Sequence, residues 1–158
     1  MYLVSSCLCG NKCRYNSSTG NLSLHPGIQR LLAQGLAVPV CPEILGGLPV
    51  PRPPAEIMSG TGACVLQGKA KVVNSAGDDV TENYILGAWK SLLIGLKTGC
   101  TKAVLKARSP ACGIGSIYDG KFRKTLIEGD GVLAALLKEH GFLVFNDEDF
   151  YKHFSRNL

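Results

Sequence analysis

The feature that most constrains the fold is the alternation of short apolar runs with amphipathic helical patterns along the chain. Residues 2–6 and 36–40 are apolar runs typical of buried strands. Between them, residues 26–34 predict a helix, with Pro26 near its first turn and Gly35 as a stop signal. A strand, a helix and a second strand in this order form the unit from which parallel sheets are built.

The same alternation continues through the rest of the chain. Residues 101–105 and 142–145 predict two further strands, and residues 130–140 predict a helix between them. We expect a polar loop over 10–21, a structured Pro- and Gly-rich loop over 42–54, a small hairpin over 63–74 and a short helix in the tail, 146–158. With 158 residues, the chain is predicted to form one domain, 1–158, with a three-layer, Rossmann-like α/β fold and a mostly parallel sheet.

One helix is predicted in more detail than the others. The sequence Asp79-Val80-Thr81-Glu82 has the character of a capping box, which marks a helix start. Behind it, apolar residues recur at helical spacing, and we predict that this face, Trp89 included, lies in the core. The face consists of Ile85, Ala88, Trp89, Leu92, Leu93 and Leu96.

Composition excludes several classes of function. Apolar residues make up 46% and charged residues 18%, as in ordinary globular proteins. The net charge of +5 is spread along the chain without the dense basic stripe and stacking aromatics of a nucleic-acid-binding protein, so no nucleic-acid polymer is expected as a partner. No segment approaches the length of a membrane span, and the start lacks the basic region of a secretory signal. We expect a cytoplasmic protein without membrane contact.

The chain has seven cysteines, an odd number that cannot pair completely. In a reducing compartment, clustered cysteines more often indicate metal binding or catalysis than disulfides. Cys7, Cys41 and Cys112 each follow a predicted strand, and ligands of open α/β sheets gather at the carboxyl ends of the strands. Thiolates are the natural ligands of iron–sulfur clusters and zinc, so these three cysteines form the candidate metal site. Cys64 and Cys100 are predicted to be small buried apolar residues.

Other interpretations stay open at this point. Cys9 and Cys13 could add ligands from the loop after Cys7, although the spacing matches neither a zinc ribbon nor a ferredoxin. A structural zinc site made of cysteines alone is a weaker alternative. A phosphate-binding loop at Gly113-X-Gly115 is weaker still, because no nucleotide-binding fingerprint accompanies it.

Further motifs occur in order along nearly the whole chain, and together they resemble the bacterial family of TudS-like thiouracil desulfidases. The motifs that carry the resemblance are Ser6-Cys7-Leu8-X-Gly10, Arg14-Tyr15, Cys41-Pro42-Glu43, Gly46-Gly47-Leu48, Pro51-Arg52, Gly77-X-Asp79-Val80-Thr81, Leu105-Lys106-X-Arg108-Ser109-Pro110-X-Cys112-Gly113, Ile117-Tyr118-Asp119-Gly120 and Gly129-Asp130-Gly131-Val132. The chain departs from the family pattern at Cys9, at Asn16-Ser17-Ser18 and at Ala111.

The resemblance implies a [4Fe-4S] cluster held by Cys7, Cys41 and Cys112, with one iron lacking a protein ligand. It implies that Glu43 is the catalytic carboxylate and Ser109 the catalytic hydroxyl. Without it, Glu43 would be interpreted as a helix-start carboxylate and Ser109 as a turn hydroxyl before Pro110.

The implied activity is the hydrolytic cleavage of the carbon–sulfur bond of a thiocarbonyl. The expected partner is a small thiolated base or nucleoside, of the 2-thiouracil or 4-thiouridine type, and the products are the oxo base and sulfide. The expected protein is a monomer or a weak dimer. The alternative is a non-catalytic iron–sulfur or zinc-binding protein that acts as a sulfur carrier or redox sensor.

Overall fold

The computed structural model describes residues 1–18 and 24–156, in which strands and helices alternate. The polar loop predicted for 10–21 therefore lies only partly within the described residues, and positions 157–158 of the tail lie outside them. In chain order the elements are β1 (Tyr2–Ser5), a 3₁₀ turn (Ser6–Cys9), α1 (Pro26–Ala33), β2 (Ala37–Val40), α2 (Pro42–Leu45), β3 (Ala55–Met58), α3 (Gly62–Leu66), β4 (Lys71–Asn74), α4 (Thr81–Lys97), β5 (Lys102–Leu105), β6 (Ser116–Tyr118), β7 (Leu126–Glu128), α5 (Val132–Glu139), β8 (Leu143–Asn146) and α6 (Asp147–Arg156).

The main sheet has the strand order β2-β1-β5-β8, and all of its neighbouring strands are parallel. From β1 the chain moves outward to β2, and it later returns to the other side of β1 with β5. The order of strands therefore reverses between β1 and β5, and at such a switch point a crevice opens at the carboxyl ends of the strands. Two antiparallel hairpins, β3–β4 and β6–β7, lie outside this sheet.

Helices cover both faces of the sheet. Because successive strand side chains point to opposite faces, Leu3 of β1 and Ala103 of β5 join the core cluster that includes α4 and α5. Val4 and Val104 join a second cluster with Ile28 of α1 and residues of α6. The three-layer α/β fold with a parallel sheet is therefore confirmed. None of the helices described in 1–18 and 24–156 combines the length and apolar character that a membrane span requires.

The hairpin predicted for 63–74 is wrong. Residues Gly62–Leu66 form a helix, α3, and β4 pairs instead with β3, which precedes it in the chain. A short apolar run such as 63–66 does not distinguish a strand from a buried helix by periodicity. The packing of this segment against α5 favours the helix. It is so close that a β-carbon on Gly62 would lie 2.2 Å from the carbonyl oxygen of Gly131 at the start of α5. The loop predicted for 42–54 also begins with a short helix, α2.

The predicted burial of Trp89 is wrong as well. Trp89 is 44% exposed, and Leu93 and Leu96 on the same stripe are more exposed still. Ala88 and Leu92 of the predicted face are buried, and the buried face of α4 also includes Tyr84, Gly87, Ser91 and Gly95. The helix α2 packs closely against α4 at Gly87. A β-carbon on Gly87 would lie 1.8 Å from the carbonyl oxygen of Pro42. The capping box predicted at the start of this helix is formed only in part. Asp79 accepts a hydrogen bond from the amide of Thr81, but the N-cap residue Val80 makes no side-chain hydrogen bond.

Candidate functional site

The candidate site is the crevice at the switch point between β1 and β5. Cys7 lies in the 3₁₀ turn after β1, Cys41 directly follows β2 as the N-cap of α2, and Cys112 lies in the loop after β5. All three line one cavity of about 520 Å³, together with Glu43 and Ser109. The structure thus brings together every site residue that was predicted from the sequence.

Cys112 is held in a loop that is fastened to the start of α5. The Ser109 hydroxyl oxygen accepts the amides of Ala111 and Cys112 at 3.2 and 3.1 Å. The carbonyl of Pro110 accepts the amide of Val132 at 2.9 Å. Cys112 is only 4% exposed, and burial raises its pKa well above the usual value.

Cys41 and Glu43 are in direct contact. The Cys41 thiol donates to Glu43 Oε2 at 3.3 Å and approaches the carbonyl oxygen of Cys13 at 3.8 Å. Contact with the Cys13 thiol, followed by burial and by the Glu43 carboxylate, raises the pKa of Cys41 strongly. The protonated thiol is therefore the stable form of Cys41 in the protein without a metal, and a metal would have to displace its proton.

Arg52 links the carboxylate of Glu43 to the backbone at Cys13. Its Nη2 lies 3.0 Å from the carbonyl oxygen of Cys13 and 3.9 Å from Glu43 Oε2, and its Nη1 lies 3.2 Å from the carbonyl oxygen of Pro49. Its backbone amide donates to Tyr15 at 2.8 Å. The side chain is nearly buried. Its planar guanidinium group therefore fixes three segments around the cavity, those of Cys13, Glu43 and Pro49.

A fourth cysteine lines the same cavity. Cys13 is 5% exposed, and its thiol interacts electrostatically with the thiols of Cys41 and Cys7. The contact with Cys41 lowers the pKa of Cys13, while the contact with Cys7 and burial raise it, to about 11 overall. The sequence left Cys13 and Cys9 undistinguished, because their spacing from Cys7 matches no known pattern.

The remaining cysteines lie elsewhere. Cys9 packs against the cluster of Val4, Ile28 and Val104, on the face of the sheet that α1 and α6 cover. Burial raises its pKa to about 11. Cys100 is buried, as predicted. Cys64 is only half-buried, on α3, and the Thr61 hydroxyl 3.4 Å from its sulfur lowers its pKa. All seven cysteines are free thiols.

The sequence did not indicate that Tyr84 is part of the cavity wall. Tyr84 of α4 is 4% exposed and lines the cavity, and burial raises its pKa, which keeps the phenol neutral. It was missed because the helical pattern marks it only as one more core residue. The wall also carries several aromatic and basic side chains, those of Arg14, Tyr15, Lys106, Arg108, Tyr118, Phe122 and Lys124. Lys106 and Arg108 are paired with Asp147 and Glu148 at the start of α6.

The donor set fits an iron–sulfur cluster better than a single metal ion. Among the described residues, no three His, Cys, Asp or Glu side chains surround one point as a bound ion requires. A cluster takes each thiolate on a separate iron, so its ligands need only line one cavity, as these do. The zinc alternative loses support for this reason.

The phosphate-binding loop considered at Gly113-X-Gly115 also loses support, because the Gly115 amide already donates to the Asp130 carboxylate at 2.8 Å.

Comparisons with known proteins identify the family of the chain. The family model for 2-thiouracil desulfurase matches residues 2–149. Protein YbbK of Bacillus subtilis (strain 168) is 47% identical over 149 residues, which cover 94% of this chain and 97% of that protein. The solved structure of "[4Fe-4S]-dependent thiouracil desulfidase TudS (DUF523Vcz)" is 40% identical, with a TM-score of 0.80 over 93% of this chain and 90% of that one. The chain therefore belongs to the 2-thiouracil desulfurase family.

Proposed function

We propose that the chain, as one domain over 1–158, is a [4Fe-4S]-dependent desulfidase. Its substrate is a thiolated nucleobase or nucleoside of the 2-thiouracil or 4-thiouridine type, and its products are the oxo base and sulfide. The observation that supports this most is the convergence of Cys7, Cys41, Cys112 and Glu43 on one cavity at the switch point of the sheet. The likeness to TudS, a [4Fe-4S]-dependent thiouracil desulfidase, supports the choice of cofactor and substrate class.

Cys7, Cys41 and Cys112 would hold the cluster, which leaves one iron for the substrate. When bound, the cluster supplies a Lewis acid that suits a soft thiocarbonyl sulfur and makes the adjacent carbon electrophilic. The cavity, at about 520 Å³, has the size of a small-molecule site. Its aromatic residues Tyr15, Tyr118 and Phe122 offer apolar faces to a planar base.

Glu43 is the proposed general base. In the protein without metal, its Oε2 accepts the proton of Cys41 at 3.3 Å. Metal binding removes this proton, because a ligating thiol must be deprotonated. The carboxylate oxygen is then available to a water molecule that attacks the thiocarbonyl carbon. General base catalysis of this kind contributes about 10²–10⁴-fold in rate.

Ser109 is proposed to relay a proton or to orient the attacking water. A hydroxyl group has one proton to donate and two lone pairs that accept. The amides of Ala111 and Cys112 occupy the accepting side of Ser109. Among the described residues no acceptor for its own proton is found, so the hydroxyl can donate a hydrogen bond to the attacking water, or can pass its proton to the departing sulfur while it takes up a proton from that water.

The alternative of a non-catalytic sulfur carrier or redox sensor would use the same thiols but would not need Glu43 beside them.

The free thiols and an iron without a protein ligand both favour a reducing compartment. We therefore expect the enzyme to work in the cytoplasm, as a monomer or weak dimer.

The direct test is reconstitution of the full chain with iron and sulfide in the absence of oxygen. The loaded protein should show the visible absorbance of a cluster and should release sulfide from 2-thiouracil or 4-thiouridine. A loaded protein that releases no sulfide from either compound would support the non-catalytic alternative. The absence of any cluster would overturn the proposed function.

A further inference from the structure

We infer that Glu56 is a positioning residue of the site: its buried carboxylate holds the loop of the β6–β7 hairpin, residues 119–125, so that Phe122 forms a cavity wall against the planar ring of the substrate. The inference rests on the proposed function and extends it to a residue outside the proposed cluster ligands, general base and proton relay. Glu56 lies on β3 and lines the cavity, as Phe122 and Lys124 of the loop do.

Glu56 contacts the backbone of this loop directly. Its Oε1 accepts hydrogen bonds from the amides of Gly120 at 3.0 Å and Phe122 at 3.3 Å. Glu56 is only 8% exposed, and among the residues that the structure describes no cation pairs with it. A buried carboxylate without an ion pair is costly unless hydrogen bonds satisfy it. The two loop amides are the groups that do so here.

The loop adopts a conformation that needs such support. Phe122 and Lys124 have φ angles of 52° and 59°, in the left-handed region that residues with a β-carbon rarely occupy. Backbone strain of this kind persists only where neighbouring groups hold it in place. One such group is the Glu56 carboxylate, bonded to the amide of Phe122. The close approach of the loop to β3 is another, since a β-carbon on Gly120 would lie 2.4 Å from the carbonyl oxygen of Ile57.

The carboxylate thereby controls where the Phe122 ring lies. The residue is 40% exposed, so core packing does not fix it, and its backbone is held by Glu56. An aromatic ring in a cavity wall stabilises a planar ring beside it. Loss of the Glu56 bonds should therefore weaken substrate binding. It should affect the bond-breaking step much less, because Glu43 and Ser109 lie on other elements, α2 and the loop after β5.

The kinetic test compares Glu56→Leu with wild type, both loaded with cluster. Glu56→Leu should raise KM for 2-thiouracil by about three- to tenfold, the effect of losing one aromatic contact, and should change kcat per bound cluster much less. Asn74→Leu is the matched control. Asn74 is also 8% exposed, lies on β4 of the same hairpin and accepts the amides of Ala76 and Asp78, but it does not line the cavity. Asn74→Leu therefore loses the same kind of bonds and should keep the wild-type KM.

Two further variants show whether Glu56 acts through the loop. Glu56→Gln keeps an oxygen that can accept both amides, and it should restore most of the wild-type KM. In a Phe122→Ala background, Glu56→Leu should raise KM little further, because the ring that the carboxylate positions is gone. A wild-type KM in Glu56→Leu, an equal increase in Asn74→Leu, or effects of Glu56→Leu and Phe122→Ala that multiply in the double variant would overturn the inference.

Limited digestion with trypsin tests the loop without turnover. Trypsin cuts after lysine and arginine, and the loop contains Lys121, Arg123 and Lys124. We expect cleavage at these residues to be several-fold faster in Glu56→Leu than in wild type or Asn74→Leu. Equal cleavage in Glu56→Leu and wild type would show that the carboxylate does not hold the loop, and would overturn the inference.

The affinity for 2-thiouracil separates this inference from the proposed function. Calorimetry on loaded Glu43→Gln protein measures binding without turnover, and adding Glu56→Leu should raise the dissociation constant by the same factor as KM. An unchanged dissociation constant, or a loaded protein that does not bind 2-thiouracil, would overturn the inference. A loaded wild type that binds 2-thiouracil but releases no sulfide would overturn only the proposed function.

Discussion

The Cys41 thiol donates a hydrogen bond to the Glu43 carboxylate across 3.3 Å, at the start of α2. One residue is the proposed cluster ligand and the other the proposed general base, and they are two positions apart in the sequence. Cluster binding and the freeing of the base are therefore one event, because the ligand gives up the proton that occupies the carboxylate.

Replacement of Glu43 by Gln should separate catalysis from cluster binding. The amide keeps the size of the side chain and can still accept from Cys41, so iron content and visible absorbance should stay at the wild-type level. Sulfide release should fall by about 10²–10⁴-fold, because the amide cannot take a proton from water. Glu82→Gln, on the exposed first turn of α4, is the matched control. Turnover of Glu43→Gln near the wild-type rate would show that the role assigned to Glu43 is wrong.

Replacement of Ser109 should affect both the loop and the reaction. Ser109→Ala removes the oxygen that accepts the amides of Ala111 and Cys112, and we expect a loss of about 1–3 kcal/mol in the free energy of unfolding. Ser109→Thr keeps the hydroxyl and should retain more turnover per bound cluster than Ser109→Ala. The two variants would be compared by sulfide release normalised to iron content. Equal rates per cluster would leave Ser109 with a structural role only.

Arg52 should matter for stability even without the cluster. Arg52→Met removes the bonds to Cys13 and Pro49 and leaves Glu43 without its nearest cation. We expect the free energy of unfolding to fall by about 2–4 kcal/mol, as when a nearly buried charged donor is lost. Arg52→Lys restores the charge but not the planar fork, so it should recover only part of the loss. Urea denaturation of the cluster-free protein measures both, and a change below about 0.5 kcal/mol would contradict the role described for Arg52.

Gly87 should be intolerant of a side chain. A β-carbon there would meet the carbonyl of Pro42, and because α2 carries Glu43, the clash would move the proposed catalytic carboxylate as well. We expect Gly87→Ala to destabilise the protein by about 1–3 kcal/mol. Gly95→Ala on the same helix is the control, because its β-carbon would meet side-chain atoms and no backbone, the Phe142 ring at 3.2 Å and Leu3 at 3.7 Å. Thermal denaturation compares the two, and equal melting temperatures would refute the close packing of α2 on α4.

The cysteines should differ in their reactivity in a way that the surrounding groups dictate. Alkylation requires the thiolate. Burial raises the pKa of Cys9 to about 11, whereas the Thr61 hydroxyl lowers the pKa of Cys64 below its usual value. In cluster-free protein at pH 8, Cys64 should therefore label at least about 100-fold faster than Cys9, since two pKa units separate Cys9 from an ordinary thiol. Mass spectrometry after a timed iodoacetamide pulse gives the order, and faster labelling of Cys9 would contradict it.

The sequence was sufficient to predict the sheet and the edge at which the site lies. Each of Cys7, Cys41 and Cys112 follows a strand of strong apolar character, and parallel strands deliver the residues that follow them to a common edge. The roles of these cysteines and of Glu43 and Ser109 were implied by the family resemblance, since the residues alone also allowed zinc binding and turn functions.

Contacts between distant segments explain what the sequence did not predict. Arg52 meets Cys13 across a sequence separation of 39 residues, and no local pattern encodes such a contact. The helix α3 and the exposure of Trp89 depend on how closely glycines let neighbouring segments approach, at Gly62 and Gly87. The periodicity of apolar residues shows which side of a helix is apolar. It does not show which part of that side is covered by neighbouring segments.

The most direct measurement of the central claim is the rate of sulfide release against the cluster content of the same protein. Preparations loaded to different extents without oxygen would be mixed with 2-thiouracil, and sulfide and uracil would be followed together. We expect one sulfide for each uracil, a rate proportional to the bound cluster, and no release by cluster-free protein or by a variant with Cys7, Cys41 and Cys112 replaced by Ala. Sulfide release that is independent of cluster content, or a fully loaded protein that releases none, would contradict the account.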